Sequence, residues 1–130
     1  KINNLGAKSN TIFLDACFSG ANRESDILLA GARPVFIDVK KPSSKNGTMF
    51  SASSGSEISS SWPEKKHGIF SYYLMKGFRG YADKNNDGKL TLKELGNYIN
   101  ENVSSTASKL DREQNPTFNT SIKNRTIIEY

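Results

Sequence analysis

The chain holds a single cysteine, Cys17, a single histidine, His67, and a single tryptophan, Trp62. A lone thiol has no partner within the chain, so an internal disulfide framework is excluded. No apolar run approaches the roughly 18 residues of a membrane span, and no signal-peptide pattern opens the sequence. No internal repeat is visible. Lysine and arginine are numerous, with a formal charge of +5 and a pI near 9.4. They are scattered, however, through Lys8, Arg23, Arg33, Lys40, Lys41, Lys65, Lys66 and Lys84 without a shared spacing. Nucleic-acid binders gather such residues on one face and interleave aromatics. A solvated basic surface is expected, with neither nucleic acid nor membrane as partner. The first residue is Lys1, not methionine, so the chain is expected to start inside a longer protein, and the missing leader says little about compartment.

What is present is the composition of one globular domain: 130 residues, 35% hydrophobic and 24% charged, enough to bury a core. Residues 11–14 (TIFL) form a short β-branched and aromatic run that ends in a small-residue turn, as a buried strand of a parallel sheet does. Residues 35–39 (VFIDV) and 48–53 (TMFSAS) are further strand candidates, and a short helix fits residues 22–32. Between them the basic, breaker-rich stretch 40–47 predicts an exposed loop. Ile69, Phe70, Tyr73, Leu74 and Phe78 fall at helical spacing, and Leu92, Leu95, Ile99 and Val103 repeat the pattern for a second helix. An extended segment is expected from Pro116 and a strand over 126–130. Strands alternating with helices predict a layered α/β domain.

The chemistry concentrates at residues 11–20, TIFLDACFSG. Active sites of open α/β sheets gather at the carboxyl ends of the strands. Residues two apart on a strand share a face, so Asp15 and Cys17 are expected at one mouth. Ala16, Ser19 and Gly20 are small enough for a substrate backbone to approach, and the Cys17 N–H is placed to help hold an oxyanion. Against this stands the ordinary reading of a lone cysteine as an inert buried thiol, and of Asp15 as a turn-capping residue.

The motif LDACFSG resembles the cysteine strand of caspase-like peptidases, the metacaspases and bacterial orthocaspases above all. Residues 50–78 resemble the strand, substrate-facing loop and helix that follow it in that family. The resemblance runs from about Thr11 to the end. It implies a three-layer α/β/α sandwich of which residues 1–130 are the C-terminal portion, and a Cys-His dyad acting on peptide and protein substrates. By the same resemblance Cys17 is the nucleophile and Asp15 lines the pocket for the residue before the scissile bond. A carboxylate there repels aspartate and pairs with arginine's bidentate fork, so Arg or Lys is expected at that position.

The dyad needs an imidazole to take the thiol proton and protonate the leaving amine. In the family that histidine precedes the cysteine strand, whereas His67 falls where family members open a helix. The catalytic histidine is therefore expected on an upstream segment of the same protein. Self-cleavage after basic residues, common among metacaspases, would suit a terminus at Lys1 and makes Lys40, Lys41 and Lys45 further candidates. The serine-rich stretch 53–62 occupies the place of the substrate-binding loop, with Ser53, Glu57 and Trp62 as candidate contacts. Serine offers adaptable hydrogen bonds and Trp62 an apolar wall. Glu57 is as readily a plain solvated side chain.

Residues 83–94, DKNNDGKLTLKE, match a twelve-residue EF-hand loop at every ligand position: Asp83, Asn85, Asp87, the Lys89 carbonyl, Thr91 and Glu94, with Gly88 at the sharp turn. Calcium is the ion this oxygen set suits. The same residues also make a good metal-free turn, and no second loop is present for Leu90 to pair with. Three functions remain open at this point. They are a cysteine endopeptidase, a caspase-like pseudo-protease serving as a scaffold, and a calcium-binding module.

Overall fold

The computed structural model describes residues 7–15, 46–54 and 59–130. Strand β1 (Asn10–Leu14) runs parallel to β2 (Gly47–Ser51), and β2 is antiparallel to β6 (Thr117–Thr120), in the order β1-β2-β6. The registers place Phe13 opposite Phe50 and Phe50 opposite Phe118. Directly opposed residues share a sheet face, so the three rings form one row. Their centroids are 5.0 Å apart for Phe13 and Phe50 and 4.6 Å for Phe50 and Phe118, both pairs stacked.

Two helices cover that row. The first, α1 (Ile69–Lys76), starts at Gly68 and runs on into a π-type turn, Gly77–Tyr81, that ends where Gly80 takes φ +99°. Phe78 in this turn meets Phe13 edge-on at 5.6 Å. The second, α2 (Leu92–Lys109), buries Leu92, Leu95, Gly96, Ile99, Val103 and Ala107, the face expected from its spacing. Each such leucine or isoleucine contributes about 1.5–3 kcal/mol by leaving water. Gly96 lets the helix approach closely, since a Cβ there would stand 2.7 Å from the Phe118 ring.

Two small pairs complete the described structure. Strand β3 (Ser61–Trp62) is antiparallel to β4 (His67–Gly68), around a turn at 63–66. Strand β5 (Lys89–Thr91) is antiparallel to β7 (Thr126–Glu129). His67 is thus not the opening residue of a helix but a strand residue opposite Trp62, exposed, with Gly68 between it and α1. Its neighbour Gly68 takes the N-cap in extended geometry, φ −64° and ψ 148°. The mixed sheet with its helices is an α/β arrangement, and the described residues supply the sheet and a helical layer on one face. Among them no helix is long and apolar enough to cross a membrane. The expected helix at 22–32, the strand at 35–39 and nearly all of the basic loop at 40–47 lie outside the described residues.

Candidate active site

Asp15 follows directly on β1, at the carboxyl end of the parallel pair, where the strand ends leave room for side chains from following loops. The ladder holds up to the residue before it, with the Ala52 N–H donating to Leu14 O at 2.8 Å. Both carboxylate oxygens of Asp15 are engaged by serines. The Ser59 hydroxyl donates to Oδ1 at 2.5 Å and the Ser71 hydroxyl donates to Oδ2. Hydrogen bonds to an ionised acceptor are about twice as strong as neutral ones, so this pair fixes the plane of the carboxylate. Ser59 is buried, and Ser71 lies in the first turn of α1. The pair therefore ties the end of β1 to both the serine-rich segment and the helix after it.

The segment 59–62 is held along its length. The Ile69 N–H donates to Ser60 O at 3.0 Å, and the Ser60 N–H donates to Gln114 Oε1 at 2.8 Å. Gln114 Nε2 donates to Ala52 O at 2.8 Å, and Arg112 Nη1 to Ser61 O at 2.8 Å. Beyond it Trp62 packs on an aromatic cluster, 5.2 Å from Tyr72 and 6.0 Å from Tyr73 between centroids. Lys65 Nζ stands 5.7 Å from the Trp62 ring, in cation–π range. Tyr73 extends the cluster to Tyr98, whose hydroxyl pKa is pushed up from 10.0 to about 12, first by burial and then by the neighbouring tyrosines. Of the sequence-predicted substrate contacts, Trp62 sits on this wall, and the Ser53 carbonyl accepts the Ser51 hydroxyl at 3.0 Å. Cys17 and Glu57 lie outside the described residues.

Ser71, Arg112 and Gln114 were not singled out by the sequence. Ser71 is a polar residue beside Ile69 and Phe70 at the head of an amphipathic helix, which is a weak signal. Gln114, two residues before Pro116, gave none.

The 83–94 loop has the turn its composition predicts. The Asp87 N–H donates to Asp83 Oδ1 at 3.3 Å and Asn85 Oδ1 at 3.1 Å, and the Gly88 N–H donates to Asp83 Oδ2 at 3.0 Å. Asn86 and Gly88 take the left-handed region, at φ 55° and 77°. Glu94 is turned to the start of α2, where Oε2 accepts both the Thr91 N–H at 3.0 Å and the Thr91 hydroxyl at 2.8 Å. With the Glu94 N–H donating to Thr91 Oγ1, this is a capping box. Among the described residues no three acidic, histidine or cysteine side chains converge as a metal-holding group. The donor set is nonetheless all oxygen, drawn from one loop with glycine at its sharp turn, and in chemistry it fits a hard cation. Leu90, expected to have no second loop to pair with, pairs instead with Ile128 of β7. The Lys89 ammonium stands 3.7 Å from the Glu129 carboxylate on the exposed side of the same pair.

A comparison with curated proteins finds no match for this chain. Among protein families, the peptidase C14 caspase domain matches residues 1–127, nearly the whole length. A parallel strand leading into Asp15, the serine-held Asp15 carboxylate and the covering helices are consistent with that match, and the chain belongs to the caspase-domain family of cysteine peptidases.

Proposed function

We propose that this chain carries the nucleophile and specificity pocket of a cysteine endopeptidase that cleaves after arginine or lysine. The observation that supports this most is the Asp15 carboxylate at the carboxyl end of β1, oriented by the Ser59 and Ser71 hydroxyls. A carboxylate so held pairs with a guanidinium or ammonium and repels an acidic side chain. Cys17, two residues further along, attacks the scissile carbonyl as thiolate, and its N–H helps hold the developing oxyanion. An imidazole from an upstream segment takes the thiol proton and returns it to the leaving amine, and water then releases the acyl group from Cys17.

On this reading the upstream segment docks against β1. Among the described residues β1 pairs only with β2, and beside it lies an open apolar groove of about 330 Å³ lined by Thr11, Phe13, Phe78, Ile127 and Ile128. A further strand parallel to β1 on this edge would bring its own carboxyl end beside that of β1. Calcium is the second ligand of this reading, held by Asp83, Asn85, Asp87, the Lys89 carbonyl, Thr91 and Glu94. When bound it would neutralise the loop's carboxylates and stabilise the start of α2.

The test is to treat the full-length protein with an arginyl chloromethyl ketone and an aspartyl analogue, with and without calcium, and record intact mass. An adduct on Cys17 from the arginyl reagent alone is the expected result. No adduct with either reagent would favour a caspase-like scaffold without catalysis.

A further inference from the structure

Gln114 is the one glutamine or asparagine among the fully buried large side chains of the described residues, 1% exposed. Burying a carboxamide is costly unless both its ends are paired. Here both are, and with backbone groups from two separate places: Ser60 N–H on Oε1 and Ala52 O on Nε2, each at 2.8 Å. Ala52 follows β2, and Ser60 precedes β3. The carboxamide therefore fixes the separation between the end of β2 and the segment 59–62. Ser60 is also bound through its carbonyl to Ile69, its neighbour Ser59 to Asp15, and Ser61 to Arg112. A shift of Gln114 would be passed to the Asp15 pocket through that short, fully bonded run.

We propose that Gln114 is a positioning residue for substrate recognition, setting the spacing of the segment that faces the peptide without touching the peptide itself. This rests on the endopeptidase reading given above. Such a residue acts on binding that is shared by ground state and transition state, so its loss raises KM and leaves kcat nearly unchanged. The reactivity of Cys17 toward a small reagent that does not use the pocket is left alone.

The experiment uses the full-length protein and two variants, on a peptide substrate with arginine before the cleaved bond. Gln114→Met keeps the side chain's length and removes both hydrogen bonds. Gln114→Asn keeps a carboxamide but is one methylene too short to span both partners, so at most one of the two bonds survives. The expected result is a KM about tenfold higher for Gln114→Met, the size of one to two net hydrogen bonds. Gln114→Asn should fall between it and the wild type, and kcat and the rate of iodoacetamide labelling at Cys17 should stay within about twofold. An unchanged KM would overturn the proposal. A parallel fall in kcat and iodoacetamide labelling would also overturn it, because the residue would then only hold the fold. If Gln114→Met does not fold, the KM of Gln114→Asn decides alone. A wild-type protein that cleaves nothing and takes no arginyl ketone would instead remove the endopeptidase reading, and this inference with it.

Discussion

Leu90 of β5 lies opposite Ile128 of β7 and is completely buried there. The last strand thus covers the inner side of the 83–94 loop, a task a second loop of the same kind performs in paired EF-hands. Tyr130 completes the clasp. Its N–H donates to Gly88 O at 2.8 Å, and its hydroxyl to Gly77 O at 3.2 Å and Phe78 O at 3.3 Å. Leu90→Ala is expected to lower the unfolding free energy by about 2–5 kcal/mol, the usual range for a buried leucine. Urea unfolding would check it, and a loss under about 1 kcal/mol would mean that the β5–β7 pair lies outside the cooperative core.

Glu94 caps α2 through Thr91 and, on the proposed reading, also ligates calcium. Glu94→Gln keeps a side-chain oxygen for the Thr91 N–H, so stability in the absence of calcium should change by less than about 1 kcal/mol. The same change removes the bidentate carboxylate, so any rise in Tm on adding calcium should largely vanish. Scanning calorimetry of wild type and variant with EDTA or calcium separates the roles. An equal calcium-dependent rise in both would place the ion elsewhere.

For Asp15, substitution by asparagine keeps acceptor capacity toward one serine and removes the charge. On the proposed reading kcat/KM for an arginine substrate falls about a hundredfold, since one partner of a charge pair is lost. Ser71→Ala removes one of the bonds that orient the carboxylate without neutralising it, and a loss of about five- to tenfold is expected. Steady-state kinetics on arginine and citrulline substrates would show it. Full preference for arginine in Asp15→Asn would assign specificity to another residue.

Gly96 stands against the Phe118 ring, itself stacked on Phe50. Alanine is the better helix former by about 1 kcal/mol, yet its Cβ would lie 2.7 Å from a ring carbon. Overpacking is the larger effect, so Gly96→Ala should destabilise by about 1–2 kcal/mol net. Thermal unfolding would measure it, and a stabilised variant would show that α2 can move off the sheet at little cost.

Tyr98 gives the protein an alkaline limit. Its pKa is raised from 10.0 to about 12 by burial and by Tyr73, Tyr72 and Tyr81. A group whose folded pKa lies above its unfolded value contributes stability that is complete below the unfolded pKa and lost as pH climbs to the folded one. Stability should therefore decline between about pH 10 and about pH 12, and Tyr98→Phe should flatten that decline. Absorbance titration of phenolate alongside denaturant unfolding at stepped pH tests it. An identical decline in the variant would assign the loss to other groups.

The elements were legible in the sequence wherever a local period or a turn chemistry dictated them. The run at 11–14 became β1, Leu92, Leu95, Ile99 and Val103 became the buried face of α2, and Asp83 to Gly88 formed the turn their residue types favour. The helical pattern that opens at His67 begins two residues later, because Gly68 in extended geometry caps α1 and leaves the histidine in a strand opposite Trp62.

By itself the sequence determined a domain of alternating strands and helices, an Asp-x-Cys motif after a short apolar strand, and an Asp- and Asn-rich loop with EF-hand spacing, since each is written in neighbouring residues. Only the tertiary structure decided which polar groups meet. Ser59 and Ser71 reach Asp15 across 44 and 56 residues, Gln114 reaches Ala52 across 62, and β7 supplies the partner that Leu90 lacked. A serine or glutamine has the same local propensity whether or not a distant carboxylate or carbonyl awaits it. Its partner is fixed by how the helices pack on the sheet, and that packing leaves no periodicity in the chain to read.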